Sequence, residues 1–198
     1  HIHHNIFNDT QYSAITIDGS NNHIIEYNQF SNLALTHNSA IYVYISNGVV
    51  IANNTFHNVS SACFLGGEGD DCIIQDNFMR NVTFGVDLGG GGSCKINRNT
   101  IMDSYTGIIV HIFSEMNAIY ENTIMNCDRG IESQIEPDSV LPAGSIAFHN
   151  NLINNRFDTL GSGGTYMYAL YPAGGNYFDD FNGTDEYSGP DQDIPGSD

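Results

Sequence analysis

One pattern recurs seven times along the chain and limits its fold more than any other feature. Each copy has an apolar residue, two variable residues, an asparagine, one variable residue, a second apolar residue and, two positions later, an Asn or Asp. The central asparagines are 22 to 28 residues apart, which is typical of architectures whose repeats stack on one another. They are Asn5, Asn28, Asn54, Asn77, Asn99, Asn122 and Asn150.

A second short segment with alternating apolar residues lies between consecutive asparagines. Residues 14–17, 40–43 and 85–88 are examples, and glycine-rich turns such as 66–69 and 89–93 separate the segments. Each repeat therefore contains at least two period-2 segments, as strands do. Leucine-rich repeats share the period, but they require Leu five residues before the asparagine, where this chain has His23, Val49, Cys72, Cys94, Asn117 and Ser145.

These segments predict an all-β fold, a parallel β-helix of about seven coils. Equivalent residues of neighbouring coils would then stack about 4.8 Å apart. Each asparagine amide could donate to one neighbour and accept from the other, giving a structural ladder. We expect the asparagine to occupy the left-handed position of a sharp turn. The apolar residues three before and two after it should fill the core.

Composition supports strands and excludes several classes of protein. The 198 residues include 24 Asn and 21 Gly but only 8 Leu, a balance that disfavours helices. With 5 Lys+Arg against 23 Asp+Glu, the net charge is −18. Nucleic acid is therefore excluded as a partner, and attachment to anionic membranes is disfavoured. No apolar run reaches about 18 residues, so we expect no membrane insertion.

The Ile-x-x-Asn-x-Phe/Ile repeat resembles the right-handed parallel β-helix of NosD-like proteins, in the carbohydrate-binding and sugar-hydrolysis (CASH) class. Residues 174–185, Gly-Gly-Asn-Tyr-Phe-Asp-Asp-Phe-Asn-Gly-Thr-Asp, are similar to an element that closes many such domains in archaeal cell-surface proteins. The resemblance implies repeats over 1–171, an acidic capping segment over 172–198, and a piece cut from a longer protein. It implies an extracellular, cell-surface or periplasmic location.

We expect the capped end to be built from three segments. The insertion 136–144 should loop out from the last regular coil, and 166–171 should form a final strand. The element 176–181 should fold back over that end, because the terminal coils of a solenoid expose unpaired strand edges.

Family members include copper-maturation proteins, polysaccharide epimerases and lyases, and surface proteins without assigned roles. For this chain we expect a non-enzymatic surface module that binds carbohydrate or forms part of the cell envelope. Polysaccharide or envelope components are the expected partners, and self-association stays open. The rival functions are a polysaccharide-active enzyme, namely a glycoside hydrolase, lyase or epimerase, and NosD-like copper handling.

The enzyme hypothesis depends on three residues that should face outward from the second strand column, Asp87, His111 and Glu132. The two carboxylates lie two coils apart, about 9.6 Å along the axis, which approaches the spacing of an inverting glycosidase. The histidine from the coil between could act as a base. A solvated polar face is the structural alternative. The acidic surface would repel uronate polymers, which disfavours lyases and epimerases.

Aromatic side chains predict a carbohydrate- or partner-binding platform on the same face. Tyr42, Tyr44 and Phe64 are expected to be exposed and to stack on neighbouring coils, and such rings can bind sugars. Ordinary cross-strand stacking, which stabilises a sheet by itself, is the alternative.

Two metals are candidates. Copper would use histidines such as His1, His3 and His4, although no repeated His-Met arrangement supports a specific site. Carboxylate oxygens suit Ca²⁺, and the acidic C-terminal segment offers several. The candidate calcium ligands are Asp179, Asp180, Asp185, Asp191 and Asp193.

The four cysteines show no zinc spacing. Cys63 and Cys127 fall at inward positions and should be buried thiols. Cys72 and Cys94 are equivalent residues of adjacent coils, so either a disulfide or two stacked thiols fits there. Glycosylation in a secreted setting would use Asn-x-Ser/Thr sequons, which begin at Asn8, Asn53, Asn58, Asn81 and Asn182.

Overall fold

The computed structural model describes residues 1–33, 39–67, 69–134, 144–161, 165–167, 175–179, 187–188 and 194–195. The regular secondary structure of these residues consists of β-strands, and none of them forms a helix. Almost every strand pairs in parallel with the equivalent strand of the next coil, so the chain winds as a β-solenoid. Most strands are short because each coil must turn several times, and two longer strands continue from one face into the next.

One main sheet has eight parallel strands. The first seven each begin a few residues before a ladder asparagine. The strands are, in order, Ile2–His3, Ile24–Glu26, Val50–Ala52, Ile73–Gln75, Lys95–Asn97, Ala118–Tyr120, Ser145–Phe148 and Thr165–Tyr166.

A second, 13-stranded sheet forms the other faces of the coil. Its strands following the ladder asparagines are Ile6–Asn8, Gln29–Leu33, Thr55–Gly66, Phe78–Leu88, Thr100–Met102, Thr123–Met125, Asn151–Ile153 and Tyr177–Phe178. Thr55–Gly66 and Phe78–Leu88 are long enough to continue into the third face of the coil. The other strands of that face are Ile15–Asp18, Ser39–Tyr44, Thr106–Val110, Arg129–Ser133 and Phe157–Gly161.

Two small sheets complete the described structure. Gly91–Gly92 pairs in parallel with Ser114–Glu115, and Tyr187–Ser188 pairs antiparallel with Ile194–Pro195.

The core is a stack of apolar columns at the predicted positions. In one column Ile74 pairs with Ile96, and Ile96 with Ile119. In another, Phe7, Phe30 and Phe56 stack at ring-centroid distances of 4.9 and 4.8 Å. Because burial of apolar surface drives folding, these columns fix the coil register. The predicted β-solenoid and its inward-facing residues are confirmed.

The asparagine ladder is continuous, and its members from Asn28 to Asn150 are buried. Each of these buried members accepts, at its side-chain oxygen, the backbone N–H and the side-chain amide of the previous member. Each amide also donates to two backbone carbonyls; for Asn99 these are the carbonyls of Ile74 at 2.9 Å and Asn97 at 3.1 Å. The ladder includes an eighth member beyond the seven sequence repeats, because Asn150 donates to Asn176.

The expectation that the ladder asparagines are left-handed is wrong. The positive φ angles fall on the residue before each one, where they lie between 52° and 56°. The asparagine must direct both its backbone N–H and its side-chain amide along the buried column. The left-handed backbone conformation that makes the turn is therefore adopted by the residue before it. The left-handed residues are His4, Tyr27, Asn53, Asp76, Arg98, Glu121 and His149.

The C-terminal element predicted over 176–181 begins as a strand of one more coil, and its described residues do not fold back across the end of the solenoid. Tyr177 and Phe178 pair in parallel with Asn151 and Leu152, and Phe178 packs against the core. Of the other predicted end elements, 135–143 and 168–174 lie outside the described residues. Among the described residues, no helix is long and apolar enough to cross a membrane.

Candidate functional site

The predicted outward column exists in the predicted register. Tyr42 pairs with Phe64, and Phe64 with Asp87. Asp87 then pairs with Ile109, and Ile109 with Glu132. Aromatic side chains therefore precede acidic ones along this column. Ile109, which was also predicted to face outward, interrupts the column, because its side chain is buried.

Asp87 and His111 form a close pair on this face. His111 Nε2 lies 3.0 Å from Asp87 Oδ1, and both side chains are partly exposed. Although the two atoms are close, Asp87 Oδ1 has no partner that meets the geometric criteria of a hydrogen bond. The negative charge of Asp87 nevertheless raises the pKa of His111 above its usual range, against the opposing effect of burial. The pair can hold a proton on the imidazole at mildly acidic pH.

Glu132 is not a free carboxylate. It is 5% exposed, and Arg129 Nη1 donates to its Oε1 at 2.7 Å. The guanidinium also stacks 5.0 Å from the centre of the Tyr105 ring, and the contact with Glu132 raises the pKa of Arg129. A buried carboxylate requires such a partner, so the position expected to supply a catalytic carboxylate holds a compensated ion pair.

A glutamine links the two pairs. Gln134 Nε2 donates to Glu132 Oε1 at 3.3 Å, and Gln134 also helps to raise the pKa of His111. The structure therefore brings Asp87 and His111 into contact and links Glu132 to Arg129 and Gln134. Of the three predicted catalytic residues, Asp87 and His111 are partly exposed and Glu132 is buried.

The aromatic platform is partly as predicted. Tyr42 and Phe64 stack across coils, with ring centroids 4.9 Å apart and planes at 9°. The Phe64 ring lies against the backbone of Gly66 and Gly89, where a Cβ would collide with it. Tyr44 stacks on Tyr42 of its own strand at 6.1 Å, because its partners in register are Asp18 and Gly66.

Phe64 and Tyr44 also border an open groove of about 650 Å³, here called the aromatic groove. Its floor is the glycine run 89–92 with Gly67. Phe113 and Met116 stand on the opposite side, and 71% of Phe113 and 58% of Met116 are exposed. The lining residues are Tyr44, Phe64, Gly67, Asp70, Gly89, Gly90, Gly91, Gly92, Phe113, Glu115 and Met116.

The glycine floor is a conformational requirement. Gly91 has φ +94°, and a Cβ on it would run into the carbonyl of Gly69 in the previous coil. Glycine alone tolerates both conditions. The strand Gly91–Gly92 then pairs with Ser114–Glu115, which brings the segment containing Phe113 and Met116 beside the floor.

Two carboxylates flank the floor. Asp70 Oδ1 accepts the N–H of Gly92 at 2.7 Å, and Glu115 is the register partner of Gly92 in the next coil. Sequence reasoning missed Asp70, Phe113, Glu115 and Met116, because they lie outside the repeated columns. The glycine run was visible in the sequence, but only as a turn.

The comparison with known families fits this geometry. The sequence profile of the right-handed β-helix region matches residues 1–133 and 36–180. The chain belongs to the right-handed β-helix family. No curated protein and no solved structure matches it. In this right-handed β-helix, the aromatic groove and the Asp87–His111 pair therefore have to be interpreted from their own chemistry.

Copper and calcium binding stay predictions for this right-handed β-helix. Among the described residues, no group of three or more His, Cys, Asp or Glu side chains is arranged to hold a metal ion. Asp179 instead accepts the N–H of Asn154 with both oxygens at 3.0 Å. The other four candidate calcium ligands lie outside the described part of the chain. At the N-terminal coil, His3 and His4 bond each other at 2.9 Å.

Proposed function

We propose that this right-handed β-helix is a non-enzymatic surface module that binds carbohydrate in the aromatic groove. One observation carries the proposal: rings from three different coils, two exposed and one partly buried, line a groove with a glycine floor. Tyr44, Phe64 and Phe113 supply these rings. The finer family assignment, to NosD-like or archaeal surface proteins, belongs to the same proposal and is supported by the repeat and by residues 174–185.

The chemistry of the groove suits a sugar ring. Aromatic faces bind apolar surfaces at a low entropic cost, and a sugar ring has an apolar face of C–H groups with hydroxyls around its edge. The glycine floor lets a ligand approach the backbone closely. Asp70 and Glu115 provide oxygen acceptors for hydroxyls. The groove volume, about 650 Å³, falls within the usual range for ligand sites.

An extracellular, cell-surface or periplasmic setting belongs to the proposal, with polysaccharide or other envelope components as partners. The resemblance of residues 174–185 and the Asn-x-Ser/Thr sequons support this setting. Calcium binding by the C-terminal carboxylates is also proposed, and melting curves with Ca²⁺ and with EDTA test it.

A glycan array tests carbohydrate binding. The wild-type protein should bind one group of related glycans without releasing products. Phe113→Ala should abolish most of that binding, while Tyr12→Ala, which removes a ring that is 74% exposed outside the groove, should leave it unchanged. Absence of binding to every glycan, or equal loss in both variants, overturns the proposal.

A hydrolytic enzyme is the second candidate, and the 3.0 Å contact between Asp87 and His111 favours it. A histidine whose proton is held by a carboxylate can act as a general acid or base. The same glycans, incubated in solution, separate the two functions. Product release that disappears in His111→Gln supports the enzyme; binding that persists without products in wild type and variant supports the module.

A further inference from the structure

The arginines in the described part of the chain are paired with carboxylates away from the aromatic groove. Each of the four arginines contacts a carboxylate at 3.2 Å or less. These pairs are Arg80–Asp103, Arg98–Asp76, Arg129–Glu132 and Arg156–Asp128. Neither an arginine nor Lys95 lines the groove formed by the described residues. The groove carboxylates Asp70 and Glu115 therefore have no cationic partner in that lining.

The position of Asp70 is fixed by a backbone contact. Its Oδ1 accepts the Gly92 N–H, and its own N–H donates to Asn47 Oδ1 at 2.8 Å. Glu115 pairs in register with Gly92 from the next coil. Asp70 and Glu115 therefore lie on either side of the glycine floor. Their charge is exposed to a ligand in the groove, and the −18 net charge of the chain adds to the local negative potential.

We infer that the ligand of the aromatic groove is a chain of protonated amino sugars. This inference rests on the proposed function. The rings of Tyr44, Phe64 and Phe113 hold the apolar faces of the sugars, and an ammonium group at the ring edge meets the carboxylates. An ammonium also interacts favourably with the face of an aromatic ring such as Phe113. Uronate chains are repelled, and neutral chains lack the charge contact.

The test compares two oligosaccharides that differ only in charge. A glucosamine hexamer carries free amines, and the N-acetylglucosamine hexamer has the same backbone with every amine acylated. Isothermal titration at about pH 5.5 keeps the amines protonated and the protein carboxylates ionised. The glucosamine hexamer should bind about tenfold more tightly, the effect of two partly exposed charge contacts. Added salt should reduce this difference.

Variants locate the charge contact. The double variant Asp70→Asn, Glu115→Gln should bind the two hexamers equally, and Asn retains the oxygen that accepts the Gly92 N–H. Glu121→Gln, which removes a carboxylate outside the groove, should keep the tenfold preference. Phe113→Ala should weaken binding of both hexamers. Polylysine serves as a probe for attraction by charge alone, and its affinity should not change in Phe113→Ala.

Each other outcome overturns a defined part of the argument. Equal binding of both hexamers by the wild type overturns the amino-sugar inference and leaves carbohydrate binding in place. A preference that survives in the double variant places the charge contact elsewhere and also overturns the inference. Binding of the glucosamine hexamer that Phe113→Ala does not weaken makes the interaction purely electrostatic, as with polylysine. If neither hexamer nor any array glycan binds, the proposed function fails as well.

Discussion

Asn99 Nδ2 lies 3.0 Å from Oδ1 of Asn122, one coil further along the solenoid, and both side chains are almost completely buried. The Asn99 amide also donates to two carbonyls. Each such residue therefore satisfies polar groups of its own coil and of both neighbours. A polar column inside a solenoid is stable only if nearly every donor and acceptor is paired.

Removing one ladder amide should destabilise the protein. Asn99→Ala leaves buried carbonyls without donors and the N–H of Asn77 without its acceptor, so the free energy of unfolding should fall by about 1–3 kcal/mol. Asn151→Ala, which truncates an exposed asparagine one residue after a ladder position, should change it by less than about 0.5 kcal/mol. Urea denaturation followed by circular dichroism measures both. Equal losses would contradict the ladder's role.

A charge in an apolar column should prevent folding. Ile96 is fully buried between Ile74 and Ile119, and Ile96→Asp would bury a carboxylate without a partner, which costs several kcal/mol. The same substitution at Ile6, which is 73% exposed, should leave a normal melting transition. A cooperative thermal transition in Ile96→Asp at the wild-type temperature would show that the assigned register is wrong.

The sequence predicted the fold well because the repeat encodes it directly. Core positions such as Ile96 and ladder positions such as Asn99 recur at a fixed spacing. The column containing Phe64 and Asp87 follows from the same register. Phe113 and Met116 were not predicted, because they belong to an irregular segment whose position depends on the pairing of Gly91–Gly92 with Ser114–Glu115.

The burial of Glu132 was also not predictable from its position in the repeat. Its position faces outward in the repeat, and only the structure shows Arg129 folded over it. A repeat determines the direction of a side chain, but it does not determine which neighbouring side chains cover it.

The Asp87–His111 pair should make stability depend on pH. The pKa of His111 is raised in the folded protein by Asp87, then by Gln134 and Glu132, while burial opposes them. The stabilisation is therefore complete below the unfolded histidine pKa of about 6.5 and disappears as pH rises through the folded pKa. Because both side chains are partly exposed, the contribution should stay below about 1 kcal/mol.

Comparison of wild type with Asp87→Asn between about pH 5 and pH 9 measures this contribution. The wild type should be more stable than the variant on the acid side, and the difference should shrink towards the alkaline side. Asp9→Asn, a change at an exposed carboxylate in the first coil, controls for net charge. A difference that is constant or grows with pH would refute the contribution of the pair.

The four cysteines should react slowly in the folded protein. All four are buried and free of disulfides in the structure. Burial raises the pKa of Cys127 to about 11 and that of Cys63 further, so little reactive thiolate forms on these two at neutral pH. The hydrogen bond with Cys94 lowers the pKa of Cys72, so slow reaction of Cys72 depends on its burial. An Ellman assay without reductant should detect few thiols in the native protein and four after denaturation. A count of two after denaturation would instead indicate a disulfide between Cys72 and Cys94.

The most direct test of the central claim is an NMR titration of the ¹⁵N-labelled protein with the glucosamine hexamer. If the aromatic groove is the carbohydrate site, the amide signals of Gly89–Gly92 and of residues 113–116 shift together and saturate. Those of Thr100 and Thr123, on another face of the coil, stay unchanged. Small shifts spread over the acidic surface without saturation, or saturating shifts confined to another face, would contradict the assignment of the groove.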